Sequence, residues 1–127
     1  MIGARILPAA LLAAAAAGLS APAAAQDAAA GAGVFQAYCA VCHSVDKPAR
    51  NKIGPSLVGV VGRKSGAAPG FSYSSAMKAR GQIWTAASLD AFLAAPAKTV
   101  PGTSMTFAGV KDAAKRANLI AYLKQQK

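Results

Sequence analysis

Two cysteines and a histidine, in the run CAVCH from Cys39 to His43, are the residues of this chain whose types and spacing could do chemistry. Thiols three residues apart with an imidazole directly after them match the pattern of covalent c-type haem attachment. Each thiol adds to one haem vinyl group, and the two thioethers then hold the histidine under the iron as an axial ligand. The tether also keeps the imidazole at high effective concentration beside the metal. Cys39 and Cys42 are the only cysteines and His43 is the only histidine, so other uses of these side chains are poorly served. A redox disulfide of this spacing belongs in a βαβ setting, which the pattern of the chain lacks. A zinc site takes about four N or S ligands, more than the sequence holds. A structural disulfide between residues three apart would close a tiny loop and restrain the unfolded chain little. The residues therefore point to one covalently attached haem c, with His43 on the iron.

The other axial position decides between a carrier and a catalyst. Left open, it admits oxygen, peroxide or nitric oxide; a methionine closes it. The chain has three methionines, and Met1 belongs to an N-terminal leader. Met77 falls on an expected short helix after Ser74 and Ser75, and Met105 on an irregular stretch after Pro101 and Gly102. A lone methionine is more often core filler than ligand. Position favours Met105, because a loop stiffened by Pro101 and opened by Gly102 can lay a thioether opposite His43. Met77 stays open as the alternative.

The elements that must position these groups can be read in order. Residues 1–25 show a short n-region with Arg5, an apolar alanine-rich run and the small residues Ala23, Ala24 and Ala25 before Gln26. This is the pattern of a cleaved signal peptide. A retained anchor wants about 20 strongly apolar residues, whereas Pro8 and Pro22 break this run. Residues 26–127 then form one small domain, and export implies the bacterial periplasm, where c-type haem is attached. Without Arg5 the 14 Lys and Arg fall to 13, against 4 acidic residues, a formal +9. Such an excess suits an acidic partner. The cations are scattered from Lys47 to Lys127 without a basic run or a nucleic-acid recognition motif, so nucleic acid is not the expected partner.

Asp27 can cap a first helix that carries Gly31, Phe35 and Cys39 along one face. Ser44 to Arg63 holds too many Gly and Pro for regular structure and reads as a loop wrapping the haem. A short helix capped by Ser74 or Ser75 ends before Gly81. Thr85 to Ala95 reads as a helix with Leu89, Phe92 and Leu93 on one face, stopped by Pro96. Pro96 to Lys111 is irregular again, and Asp112 opens an amphipathic helix bearing Arg116, Leu119, Ile120 and Leu123. The fold class is all-α: short helices and long loops wrapped around one haem.

At this level of detail residues 26–127 resemble the class I c-type cytochromes, the mitochondrial-type cytochrome c and its bacterial periplasmic counterparts. The likeness rests on Gly31 and Phe35 ahead of CAVCH, on GPSLVGVVGRKSGAAPGFSY from Gly54 to Tyr73, on Trp84, on PGTSMTF from Pro101 to Phe107, and on RANLIAYLK from Arg116 to Lys124. It implies the small cytochrome c fold, with the first helix at Gly31 and Phe35 crossing the last near Leu119 and Tyr122. It implies Met105 as the sixth ligand and the Pro55 carbonyl as acceptor for the second ring nitrogen of His43. Arg63, Tyr73 and Trp84 are implied around the haem propionates. Phe92 stands where the family commonly has a tyrosine and Met77 where it commonly has asparagine, so the Met side is less polar than usual. Tyr38, Ala97 and Ser104 replace lysines that commonly ring the haem edge, while Arg50, Lys52, Lys98 and Lys111 keep it basic.

The function expected from motif and resemblance together is that of a soluble, monomeric periplasmic electron carrier and not an enzyme. It would pass one electron at a time from a respiratory or photosynthetic donor to an acceptor. The partners expected are redox proteins such as a cytochrome bc1-type complex, a terminal oxidase, a reaction centre or a dehydrogenase, without stable membrane insertion. A peroxidase-like haem enzyme or a gas-binding haem protein is the alternative, and either needs an open sixth position.

Overall fold

Helix starts in this chain are fixed by side chains that accept from otherwise orphaned backbone N–H groups. In the computed structural model, which describes residues 26–127 together with Gly3, Ala17 and Gly18, the Asp27 carboxylate accepts from the amides of Ala29 and Ala30 and opens α1, Ala28–Tyr38. Ser74 accepts from the Met77 amide and opens α2, Ser75–Arg80, which Gly81 closes in the left-handed region at φ 54°. Thr85 and Ser88 exchange bonds in a capping box at the head of α3, Ala86–Ala94. Asp112 accepts from the Lys115 amide and opens α5, Ala113–Lys124. The expected signal peptide lies outside the described residues apart from those three positions.

One element departs from expectation. Pro96 ends α3 as read, but it also starts a single further turn, α4, Pro96–Thr99. The physical reason is that proline suits the first helical position, where its missing N–H is not needed. Among the described residues there is no strand, and one isolated antiparallel bridge joins Lys64 to Ile83.

The frame is the crossing of α1 and α5. Gly31 is buried at the crossing, where a β-carbon would land on the Asn118 backbone carbonyl and 2.8 Å from Tyr122 Cβ. The Phe35 and Tyr122 rings meet at 5.6 Å, a pairing worth about 0.5–1.5 kcal/mol beyond its buried area. Asn118 Oδ1 also accepts from the Asp27 amide at 3.0 Å, tying the start of the domain to its last helix. Leu119 is 0% exposed, which stabilises the fold by roughly 1.5–3 kcal/mol for that side chain alone. Leu89 and Leu93 of α3 join Leu119, Ile120 and Leu123 in the same core. The long segments 39–74 and 100–110 pass around the remaining space.

Candidate functional site

The turn after α1 sets the first wall. The Cys39 amide bonds back to the Phe35 carbonyl at 2.8 Å and the His43 amide to the Cys39 carbonyl at 2.8 Å, so CAVCH continues the helix as a tight coil. Cys39 and Cys42 are unpaired thiols. Burial, with Cys42 beside it, pushes the Cys39 thiol up to about 11, and so high a value leaves it a poor thiolate for disulfide exchange. His43 Nδ1 donates to the Pro55 carbonyl at 2.8 Å, which fixes the tautomer and leaves Nε2 with its lone pair free. Burial holds the His43 pKa below its ordinary value against the raising effect of that hydrogen bond, and Arg63 and Lys52 lower it further. The imidazole is thus neutral at pH 7, the form a metal requires. A β-carbon on Gly54 would sit 2.7 Å from His43 Nδ1, so only glycine lets the backbone lie this close to the ring. The Gly54 amide bonds to the Cys42 carbonyl at 2.7 Å and the Leu57 amide to the Ser44 carbonyl at 2.9 Å, closing the loop around the histidine.

The second wall carries a half-buried cation. Arg63 donates to the carbonyls of Val58 and Ser56, both at 2.9 Å. Burial lowers its pKa, an effect the Tyr73 phenol opposes. Tyr73 Oη accepts from the Ala68 amide at 3.0 Å. Trp84 is held by backbone bonds, its amide to the Arg63 carbonyl at 2.9 Å and its carbonyl from the Gly62 amide at 2.8 Å. Its ring packs on Phe92 at 5.0 Å.

Met105 lies on the last wall, where its amide bonds to Thr103 Oγ1 at 3.3 Å and its carbonyl accepts from the Phe107 amide at 3.1 Å. The space among these walls is a cavity of about 270 Å³. Cys39, Cys42, His43, Pro55, Arg63, Tyr73, Trp84 and Met105 all line it, so the structure brings every expected site residue to one place. Met77 lines it as well, so the second thioether is also within the site. Leu57, Leu89, Phe92, Leu93, Leu119 and Leu123 add apolar lining. The donor set fits a haem: two thiols beside a neutral imidazole, a thioether in another wall, and a guanidinium for anionic groups.

Comparison with known proteins decides the family. The cytochrome c family model matches residues 28–127. The chain belongs to the cytochrome c family. A cytochrome c2 of Blastochloris viridis is 52% identical over 105 residues, covering 83% of this chain and 82% of its own. A cytochrome c type-1 of Ascaris suum is 50% identical over 93 residues, covering 73% and 82%. Among solved structures, cytochrome cH from Methylobacterium extorquens superposes with a TM-score of 0.72 at 46% identity, over 77% of this chain and 97% of that one. Cytochromes c carry covalently attached haem c and serve as electron carriers between redox proteins, and this family membership accounts for the CAVCH site.

Asn51 was not singled out from sequence, and Lys52 and Lys111, read there only as cations of the haem edge, also make backbone contacts that shape the site. Asn51 accepts from the Ser56 amide and donates to the Pro69 carbonyl, each at 2.9 Å, stapling two loops beside the cavity. Lys52 Nζ donates to the Ala40 carbonyl, and Lys111 Nζ to the Ala94 carbonyl at 2.7 Å. An asparagine among the turns of a Gly- and Pro-rich stretch was the available signal for the first; nothing local signals the two lysine contacts.

Proposed function

We propose that this cytochrome c is a soluble electron carrier of the bacterial periplasm, with residues 1–25 removed as a signal peptide and residues 26–127 forming the working domain. Cys39 and Cys42 would hold the haem, and His43 and Met105 would be the ligands of its iron. The bound haem supplies a single reversible one-electron couple. The observation that carries the reading is the convergence of two thiols, a neutral imidazole and a thioether on one apolar cavity. Met105 is preferred over Met77 because residues 103–107 line the cavity without a break, whereas Met77 is anchored in capped α2 among core side chains.

Each residue has a physical task. Pro55 orients the His43 ring and raises its basicity through the Nδ1–H bond. A methionine together with a histidine on the iron would raise the potential of the couple and would leave no site for a substrate. Arg63, a half-buried cation with backbone carbonyls as its hydrogen-bond partners, offers charge to the propionates, with Tyr73 and Trp84 beside it. Among the described residues no helix is long and apolar enough to cross a membrane. The cation excess of the mature chain favours acidic redox partners, among them a bc1-type complex, a terminal oxidase, a reaction centre or a dehydrogenase.

The test is the purified holoprotein. It should be low-spin when oxidised, fail to bind carbon monoxide readily when reduced, and cycle electrons between a bc1-type donor and an oxidase at a rate that falls as salt rises. A high-spin oxidised form that binds carbon monoxide quickly would instead select the peroxidase-like or gas-binding alternative.

A further inference from the structure

The guanidinium of Arg80 lies over the ring of Trp84, with Cζ 3.8 Å from the ring centroid. Arg80 ends α2, and Gly81 at φ 54° turns the chain so that it doubles back. Gln82 then bonds through its amide to Ser65 Oγ at 3.2 Å, and its carbonyl accepts from the Ser65 amide at 2.8 Å. Ile83 pairs with Lys64, and Trp84 locks to Arg63. The Gln82 carbonyl also accepts from Arg80 Nη1 at 3.2 Å, which fixes the guanidinium above the indole.

Trp84 is 6% exposed and lines the cavity. Arg80 therefore places a full positive charge on a side chain that forms part of the cavity wall. The sequence contains no glutamate and only four aspartates, Asp27, Asp46, Asp90 and Asp112. Asp46 pairs with Arg50 and Asp90 with Arg116, while Asp27 and Asp112 cap α1 and α5. None of the four bonds to Arg80, so no side-chain carboxylate offsets its charge at this wall.

We infer that Arg80 is a positioning residue that acts through Trp84: it fixes the indole against the haem and raises the reduction potential by holding a cation with no side-chain carboxylate partner over that ring. The inference rests on the haem reading above. A cation close to a redox group favours the reduced, less positive state, and stacking on the indole face keeps the half-buried guanidinium in place.

The experiment measures midpoint potential and near-ultraviolet circular dichroism in the holoprotein and in Arg80→Met, Arg80→Lys and Lys64→Met. Trp84 is the only tryptophan, so the indole bands report this residue alone. Arg80→Met should lower the potential and weaken the indole bands. Arg80→Lys, which keeps the charge but stacks less well, should restore most of the potential while the indole bands stay altered. Lys64→Met, losing an exposed charge from the neighbouring bridge position, should shift the potential by less than half as much and leave the bands unchanged. Equal shifts in Arg80→Met and Lys64→Met would show a diffuse charge effect, and no shift in Arg80→Met would remove the role; either overturns the inference. A missing sulfur-to-iron band in the unmutated protein would overturn the Met ligation instead, and that is read from a separate spectrum.

Discussion

The wall that carries His43 and the wall that carries Met105 are built differently. Around His43, backbone and side chain are tied across a loop: Nδ1–H to Pro55, Gly54 to Cys42, Leu57 to Ser44 and Ser56 to Asn51. Between Pro101 and Gly109 the hydrogen bonds among the described residues are local, Thr103 to Val100, Met105 to Thr103 and Phe107 to Met105. Firm ties appear only at the loop's C-terminal end, where the Val110 amide reaches the Leu93 carbonyl at 2.8 Å and Lys111 reaches Ala94. A segment with few long-range bonds and half-exposed side chains opens at lower free energy than one bonded across the fold. One ligand is thus held stiffly by the protein, while the other depends on its loop, so perturbations should separate the two sides.

The largest effect is expected behind the histidine wall. Gly31→Ala gains about 1 kcal/mol of helix propensity, but its methyl meets the Asn118 backbone, which cannot swing aside. Separating α1 from α5 should cost about 3 kcal/mol, leaving a net loss of about 2 kcal/mol in urea unfolding. Unchanged stability would mean the helices cross less tightly than described.

The same substitution made in each wall compares them directly. Gly54→Ala would press a methyl onto the His43 ring, costing about 2 kcal/mol and disturbing the Soret circular dichroism of the haem. Gly102→Ala, at φ 88° and with its β-carbon 3.2 Å from Ala76 Cβ, should cost about 1 kcal/mol through backbone strain. It should weaken the Met side without moving the histidine signals. Equal spectral changes from both would erase the distinction between the walls.

How far the sequence reveals this arrangement depends on the range of the contacts. CAVCH is a local pattern, and so are the Asp27 and Thr85 caps, the helix opening at Asp112 and the Gly31–Phe35 spacing, which the structure places as read. Pro55, Arg63, Tyr73 and Trp84 came from family resemblance, since nothing in their own neighbourhoods names a partner, whereas the loop after Pro101 and Gly102 already favoured Met105 over Met77. The Asp27–Asn118 bond spans 91 positions, and the stack of Arg80 on Trp84 depends on a left-handed turn at Gly81, so neither follows from periodicity. Residues 96–99 show the opposite failure: a proline read only as a terminator also begins α4.

Acid offers a smaller and graded contrast. Hydrogen bonds from Arg50 and Ser44 hold the Asp46 carboxyl below its ordinary value, and the Lys115 amide does the same for Asp112. Both belong to the histidine wall or to the helix behind it, and residues 96–110 contain no acidic residue. A carboxylate with a depressed folded pKa stabilises the fold above its unfolded value, about 3.9. That contribution is lost as pH falls through the folded pKa. Stability should therefore decline below about pH 4, and Asp112→Asn, which keeps a capping oxygen, should flatten the decline. An unaltered acid profile in that variant would place the pH dependence elsewhere.

The central claim is that His43 and Met105 share one iron across this cavity, and the near-infrared spectrum of the oxidised holoprotein tests it most directly. The unmutated protein should show a sulfur-to-iron charge-transfer band. Met105→Ala should lose it and Met77→Leu should keep it. A band that survives Met105→Ala and disappears in Met77→Leu would contradict the account and assign the ligand to α2.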